Sequence, residues 1–218
     1  MKFGIVVFPG SNCDRDMQDA LESLNKEVIM LWHKDKDLSM FSTGDCIVLP
    51  GGFSFGDYLR CGAIAHLSPM MQTVVEFANK GGKVLGVCNG FQILCESGLL
   101  PGALLPNGNQ QFVCKNIHLK NKKGDIYKIP IAHGDGRYFA DEATLDEIEK
   151  NNQVLYYYCD EKGNVDKSYN PNHALRNIAG IQNKERNVFG MMPHPERAAS
   201  ADLGNIDGIK IFEELGLN

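Results

Sequence analysis

The strongest constraint on this chain is an alternation through its first hundred residues, in which short continuous apolar runs are each followed by a helical or glycine-rich stretch. Phe3 to Phe8 (FGIVVF) reads as a buried strand, Asp14 to Leu24 as an amphipathic helix and Val28 to Trp32 (VIMLW) as a second strand. Cys46 to Leu49 (CIVL), a long glycine-rich loop, a helix over Met70 to Asn79 and a strand over Lys83 to Val87 (KVLGV) continue the series. A strand with one wet face alternates apolar with polar residues. Strands that are apolar throughout are covered on both faces, which calls for a parallel sheet with helices on either side. The expected fold is therefore α/β, an open doubly wound and mainly parallel sheet.

After Pro101 the pattern changes. The stretch from 111 to 135 reads as two strands joined by a turn at Asn121 to Gly124, and Val154 to Cys159 (VLYYYC) as another, which predicts an antiparallel extension of the sheet. Ile178 to Gln182 and Val188 to Met192 read as final strands, and Ile206 to Leu215 as a closing helix. With no internal repeat and no linker, all 218 residues are expected to form a single domain.

Composition narrows the function. The net charge of −5 is spread along the chain without blocks of one sign, so neither nucleic acid nor an anionic membrane is expected as a partner. The apolar start ends at Pro9, too short for a signal-peptide core, and no run approaches the roughly 18 residues of a membrane span. Seven cysteines with no C-x-x-C pair, and no histidine at zinc-ligand spacing, suggest reduced thiols in a cytoplasmic protein and no metal site.

One of those cysteines stands apart. In Gly86-Val87-Cys88-Asn89-Gly90 it lies between two glycines where an apolar strand meets a helix, the pattern of a nucleophile elbow. So tight a turn leaves no room for side chains two residues either side. A sulfur at a helix N-terminus is also favoured as thiolate, and the N–H of Asn89 is aimed where an oxyanion would form. The matching base is His194 in Met192-Pro193-His194-Pro195-Glu196, where an extended chain would put Glu196 on the same side. The loop Pro50 to Asp57 follows another strand and opens at the same sheet edge, so the N–H groups of Gly51 and Gly52 could complete an oxyanion hole. It lacks the Lys-Ser or Lys-Thr of a phosphate loop. The remaining cysteines, 13, 46, 61, 95, 114 and 159, read as packing, and His133 as a turn histidine.

GVCNGFQ at 86–92 with MPHPER at 192–197 resembles the class I, triad-type glutamine amidotransferases, a flavodoxin-like family. FPGSNCDRD at 8–16, GGFSFGDYLRCGAIA at 51–65 and IAHGDGR at 131–137 are similar to the branch of that family serving de novo purine synthesis. The resemblance implies Cys88 as nucleophile, His194 as base and acid, Glu196 as the group orienting it, Gln92 as a contact to bound glutamine, and Gly52 with Asn89 as oxyanion donors. Asp135 stands where that branch has Glu. The implied activity is hydrolysis of glutamine to glutamate and ammonia through a thioester. Ammonia would pass to a large synthetase subunit, which uses ATP and Mg²⁺ to convert formylglycinamide ribonucleotide to formylglycinamidine ribonucleotide, with a small accessory subunit in the assembly. No cofactor is implied for this chain. The loops Gly10 to Arg15 and Gly56 to Cys61 are expected to face the synthetase. Two other classes share the elbow: a same-fold cysteine hydrolase or peptidase acting alone, and a catalytically silent binding subunit.

Overall fold

The computed structural model describes residues 1–217. Its main sheet has nine strands. Five run parallel in the order β2 (Glu27–Trp32), β1 (Lys2–Val7), β3 (Cys46–Leu49), β4 (Lys83–Val87) and β11 (Val188–Met191). β10 (Ile178–Gln182), β9 (Val154–Cys159), β6 (Val113–Lys120) and β7 (Ile126–His133) continue the sheet antiparallel, as the sequence pattern predicts. The apolar runs are buried for the reason given above: all four residues of β3 and all four of β11 are sequestered from solvent.

Helices cover the sheet with faces legible in their spacing. α1 (Asp14–Ser23) buries Met17, Ala20 and Leu21, and Asp14 and Asp16 in its first turn complement the helix dipole. α2 (Pro69–Asn79) starts on a proline, tolerated there because the first N–H groups of a helix lack partners, and buries Met70, Met71, Val74, Phe77 and Ala78. α3 (Asn89–Glu96) follows the elbow, and α5 (Asp207–Glu214) closes the fold.

Two elements depart from expectation. α4 (Glu142–Lys150) was not expected, because only Leu145 and Ile148 of its residues are buried and the rest reads as a solvated charge run. Its N-cap is Asp141, whose carboxylate accepts from the Thr144 N–H. β5 (Ala103–Leu105) and β8 (Arg137–Phe139) form a separate two-stranded ribbon, each too short to show periodicity.

The topology assembles the site. From β1 the chain moves outward to β2 and then crosses to β3 on the other side of β1, which makes a switch point in strand order between β1 and β3. β1, β3, β4 and β11 all end at one carboxyl edge, bringing together Phe8 to Cys13, Pro50 to Asp57, Cys88 and His194. Ser11 and Gly52 bridge the first two loops. The free edge of β7 curls back to the same place: Pro130 O accepts the His194 N–H at 2.9 Å, and Ala132 O lies 3.7 Å from Cys88 Sγ.

Candidate active site

Cys88 has φ 51° and ψ −105°, a left-sided conformation that a non-glycine residue adopts only under compulsion, at a cost of about 1–3 kcal/mol. The compulsion is visible. The Cys88 N–H is tied to Met191 O at 2.7 Å, and its carbonyl begins α3 by accepting from the Gln92 N–H at 3.2 Å. Both glycines are required by close approach. A Cβ on Gly86 would sit 2.6 Å from Gly90 O, and one on Gly90 would collide with the Leu49 carbonyl of β3. The turn at Cys88 thus has no room for a side chain at either glycine.

His194 and Glu196 meet as expected, by a different route. Residues Pro195–Ala198 form a 3₁₀ turn rather than an extended segment, and this turn carries Glu196 Oε1 to 2.6 Å from His194 Nδ1. Both side chains are buried, at 1% and 2% exposure. With Nδ1 bonded to the carboxylate, Nε2 is the free nitrogen, and it has no hydrogen-bond partner among the described residues. Burial opposes a charge on His194, but Glu196 and the Cys88 sulfur outweigh it and raise its pKa well above the usual value. That direction favours an imidazolium, the form that can give a proton to a leaving group.

Among the described residues, two backbone N–H groups near the elbow are unengaged. Asn89 begins α3, so its N–H has no intrahelical acceptor. Gly52, at φ 134°, turns the loop after β3 past the bridge with Ser11 and offers an N–H without a partner among the described residues. Gly51 sits under the imidazole: a Cβ there would come 2.7 Å from His194 Cε1. Gln92 is buried with its carboxamide already engaged. Its Oε1 accepts from Asn89 Nδ2 at 2.8 Å and its Nε2 donates to Asp135 O at 2.7 Å, so in this state it holds the 133–136 loop against the elbow.

Two cysteines read as packing have polar surroundings instead. Cys13 is buried beside His194, and Arg197 Nη2 donates to its Sγ at 3.1 Å while Arg197 Nε holds Asp16 at 2.8 Å. Cys61 Sγ donates to Asp135 Oδ2 at 2.9 Å, so the shorter carboxylate still finds a partner. Burial first, and then the Asp135 and Asp57 carboxylates, push the Cys61 thiol far up. Cys114 is exposed. The clue to Cys13 was its place in a loop directly after β1, at the same edge as Cys88. His133, expected as a turn histidine, is instead the last residue of β7, and Asn107 fixes its ring: Asn107 Oδ1 already accepts the Gly136 N–H at 2.9 Å and lies 3.0 Å from His133 Nδ1, which must therefore donate. A cavity of about 590 Å³ lined by Val165, Asn170 and Arg176 includes none of these residues.

A strand-to-helix cysteine, a buried His–Glu pair and two free N–H groups on a doubly wound sheet define a class of acyl-transfer enzymes, and comparison with known proteins narrows it. Residues 1–207 match the family described as the CobB/CobQ-like glutamine amidotransferase domain. The phosphoribosylformylglycinamidine synthase subunit PurQ of Aquifex aeolicus is 52% identical, with 99% of each chain covered. That of Sulfurimonas denitrificans is 55% identical, with 98% of each covered. Among solved structures, a chain in the structure of PurLQS from Thermotoga maritima superposes with a TM-score of 0.84 at 39% identity, covering 98% of this chain and 96% of that one. The chain belongs to the glutamine amidotransferases, in the family of PurQ glutaminase subunits.

Proposed function

We propose that Cys88, His194 and Glu196 hydrolyse glutamine and that the ammonia is delivered to a synthetase subunit making formylglycinamidine ribonucleotide from formylglycinamide ribonucleotide. The observation that carries this reading is the 2.6 Å His194–Glu196 bond, buried beside an elbow cysteine in a chain of PurQ type.

Each step uses groups that the fold brings together at this edge. Cys88 sulfur attacks the side-chain amide carbon, a C–S bond forms, and the carbonyl electron pair moves to oxygen, where the N–H groups of Gly52 and Asn89 receive it. As the pair returns, the C–N bond breaks and His194 gives its proton to the departing nitrogen, which leaves as ammonia. His194 then takes a proton from water, the resulting hydroxide displaces sulfur from the thioester, and glutamate is released. Glu196 keeps Nδ1 protonated and in place, so that Nε2 is the nitrogen that moves protons. Gln92 and Gly51 shape the pocket wall around the substrate.

Residues 1–218 act as one amidotransferase domain with no cofactor of its own, and ATP and Mg²⁺ serve the synthetase. The structure from Thermotoga maritima is of PurLQS by its name, which supports a synthetase subunit as a partner of this chain; a small accessory subunit is the further partner in this reading. The loops Gly10 to Arg15 and Gly56 to Cys61 border the site, and Tyr58 and Leu59 are 74% and 91% exposed, large apolar groups suited to a protein face. No helix among the described residues is long and apolar enough to cross a membrane, and all seven cysteines are free thiols, which supports a cytoplasmic setting. A same-fold peptidase acting alone, or a silent subunit, finds less support, given full-length PurQ relatives and an assembled triad.

The test is glutamate release by the chain and its Cys88→Ala variant, each alone and with synthetase partners, ATP, Mg²⁺ and formylglycinamide ribonucleotide. Release that vanishes in the folded variant is expected. Wild-type chain that joins the complex and releases nothing would overturn the reading.

A further inference from the structure

Cys13 is a buried side chain that the reaction above leaves unused, yet it stands beside the proposed triad. Its Sγ, a ring nitrogen of His194 and a carboxylate oxygen of Glu196 all lie within 4.8 Å of one another, and all three residues are buried. The sulfur is held from two sides. Its S–H donates to Asn12 Oδ1 at 3.4 Å, and a lone pair accepts from Arg197 Nη2 at 3.1 Å. Arg197 is anchored in turn, because its Nε donates to Asp16 Oδ2 at 2.8 Å and its backbone N–H to His194 O at 3.2 Å. The Cys13 backbone is tied down as well: its N–H donates to Gly51 O at 3.3 Å, and its carbonyl accepts the Met17 N–H at 3.0 Å at the start of α1.

These bonds enclose the imidazole. The 2.6 Å bond between Nδ1 and Glu196 fixes one point of the His194 ring, and a single point leaves the plane free to pivot. The other edge needs its own support. A Cβ on Gly51 would come 2.7 Å from His194 Cε1 and 3.1 Å from Cys13 Sγ, so the ring edge and the sulfur flank the same spot. Arg197 lies on the 3₁₀ turn that His194 precedes and Asp16 lies in α1, so the chain of contacts Asp16–Arg197–Cys13–Gly51 ties turn, helix and loop together around the ring. Reacting groups keep their geometry where supporting side chains are themselves locked. The sulfur also acts on the charge of His194: burial lowers the pKa of the ring, while Glu196 first, then Cys88 and Cys13, raise it.

We propose that Cys13, seated by Arg197 and Asp16, is a positioning residue for His194: it fixes the plane of the imidazole and with it the direction of Nε2. This deepens the glutaminase reading and rests on the role given there to His194. Cys13 itself takes no proton and forms no bond to the substrate.

The test compares wild type, Cys13→Ala and Cys13→Ser in the reconstituted complex, by kcat, KM for glutamine and the pH profile of kcat, with urea unfolding of each chain. Cys13→Ala removes the support, and since a 1 Å misplacement can cost about 100-fold, kcat is expected to fall about 10-fold or more with KM within about twofold. His194 gives its proton to the leaving nitrogen, so its deprotonation sets the alkaline limb of the profile. With a contact that raises its pKa removed, that limb is expected to move to lower pH. Cys13→Ser, whose hydroxyl still accepts from Arg197, is expected to bring kcat back to within about threefold of wild type. A second readout needs no turnover: in the isolated chain labelled at histidine nitrogen, the His194 ring signals, assigned with His194→Gln, are expected to titrate at lower pH in Cys13→Ala. A kcat for Cys13→Ala within about twofold of wild type, or a His194 titration that does not move, would overturn the proposal. So would a loss of kcat that follows the urea midpoint with the alkaline limb in place, which would assign Cys13 to packing. A complex in which wild type releases no glutamate would instead sink the glutaminase reading, and the His194 titration would still decide this one.

Discussion

Gly51→Ala makes a direct probe of the proposed triad because the added methyl would press on the His194 ring. The new Cβ would lie 2.7 Å from His194 Cε1 and 3.1 Å from Cys13 Sγ, against an ordinary contact of 3.4 Å or more. His194 must therefore retreat by about 0.7 Å, and it cannot do so freely, because its ring is buried and its Nδ1 is held by Glu196 at 2.6 Å. A 1 Å misplacement in a reacting pair can cost about 100-fold, so the expected loss in kcat/KM is about 10- to 100-fold. Overpacking of this kind costs about 1–3 kcal/mol of stability, small enough for the chain to stay folded. The assay is glutamate release by the reconstituted complex, with urea unfolding of the same samples. Gly44→Ala is the control, since its Cβ would meet nothing nearer than Ser42 Oγ at 3.5 Å. A folded Gly51→Ala chain with kcat/KM within threefold of wild type would refute the argument that the loop after β3 fixes the imidazole.

Other expectations follow from the same geometry. Glu196→Gln should lower kcat by about 10⁴-fold with the fold retained, as a neutral partner no longer holds the Nδ1–H tautomer, and a loss below tenfold would contradict that role. His133 has its pKa lowered to about 4, by burial first and then by the charge of His194, so between pH 6.5 and about 4 the folded chain binds fewer protons than the unfolded one. Stability should fall as pH drops through that window by up to about 3 kcal/mol, and His133→Gln should flatten the dependence of the urea midpoint on pH; identical slopes would contradict the assignment. Leu59→Asp should weaken association with the synthetase at least about tenfold in sedimentation or calorimetry, by placing a charge in an apolar contact, and unchanged affinity would move the docking face elsewhere.

The elbow was legible because its steric demands are local. Gly86 and Gly90 are written into the sequence at fixed distance from Cys88, and the clashes they avoid involve the same turn and the adjacent strand β3. The parallel sheet was legible because CIVL and KVLGV carry no polar face. α4 was not, since a helix that buries only Leu145 and Ile148 shows almost no period. Cys13 was not, because its meaning lies in contacts with Arg197 and His194, some 180 residues away in sequence, which arise only when β1 and β11 end at one edge. His194 and Glu196 were paired on an argument from extended geometry; a 3₁₀ turn brings the same two side chains together, so the pairing survived a mistaken backbone.

The central claim is a covalent bond between Cys88 and the glutamyl group, and it is tested most directly by quenching the complex during turnover of glutamine and mapping the modified peptide by mass spectrometry. The account predicts one added glutamyl group on the peptide containing Cys88, absent from Cys88→Ala. A glutamyl group on Cys13 or Cys61, or turnover that persists in Cys88→Ala, would contradict it.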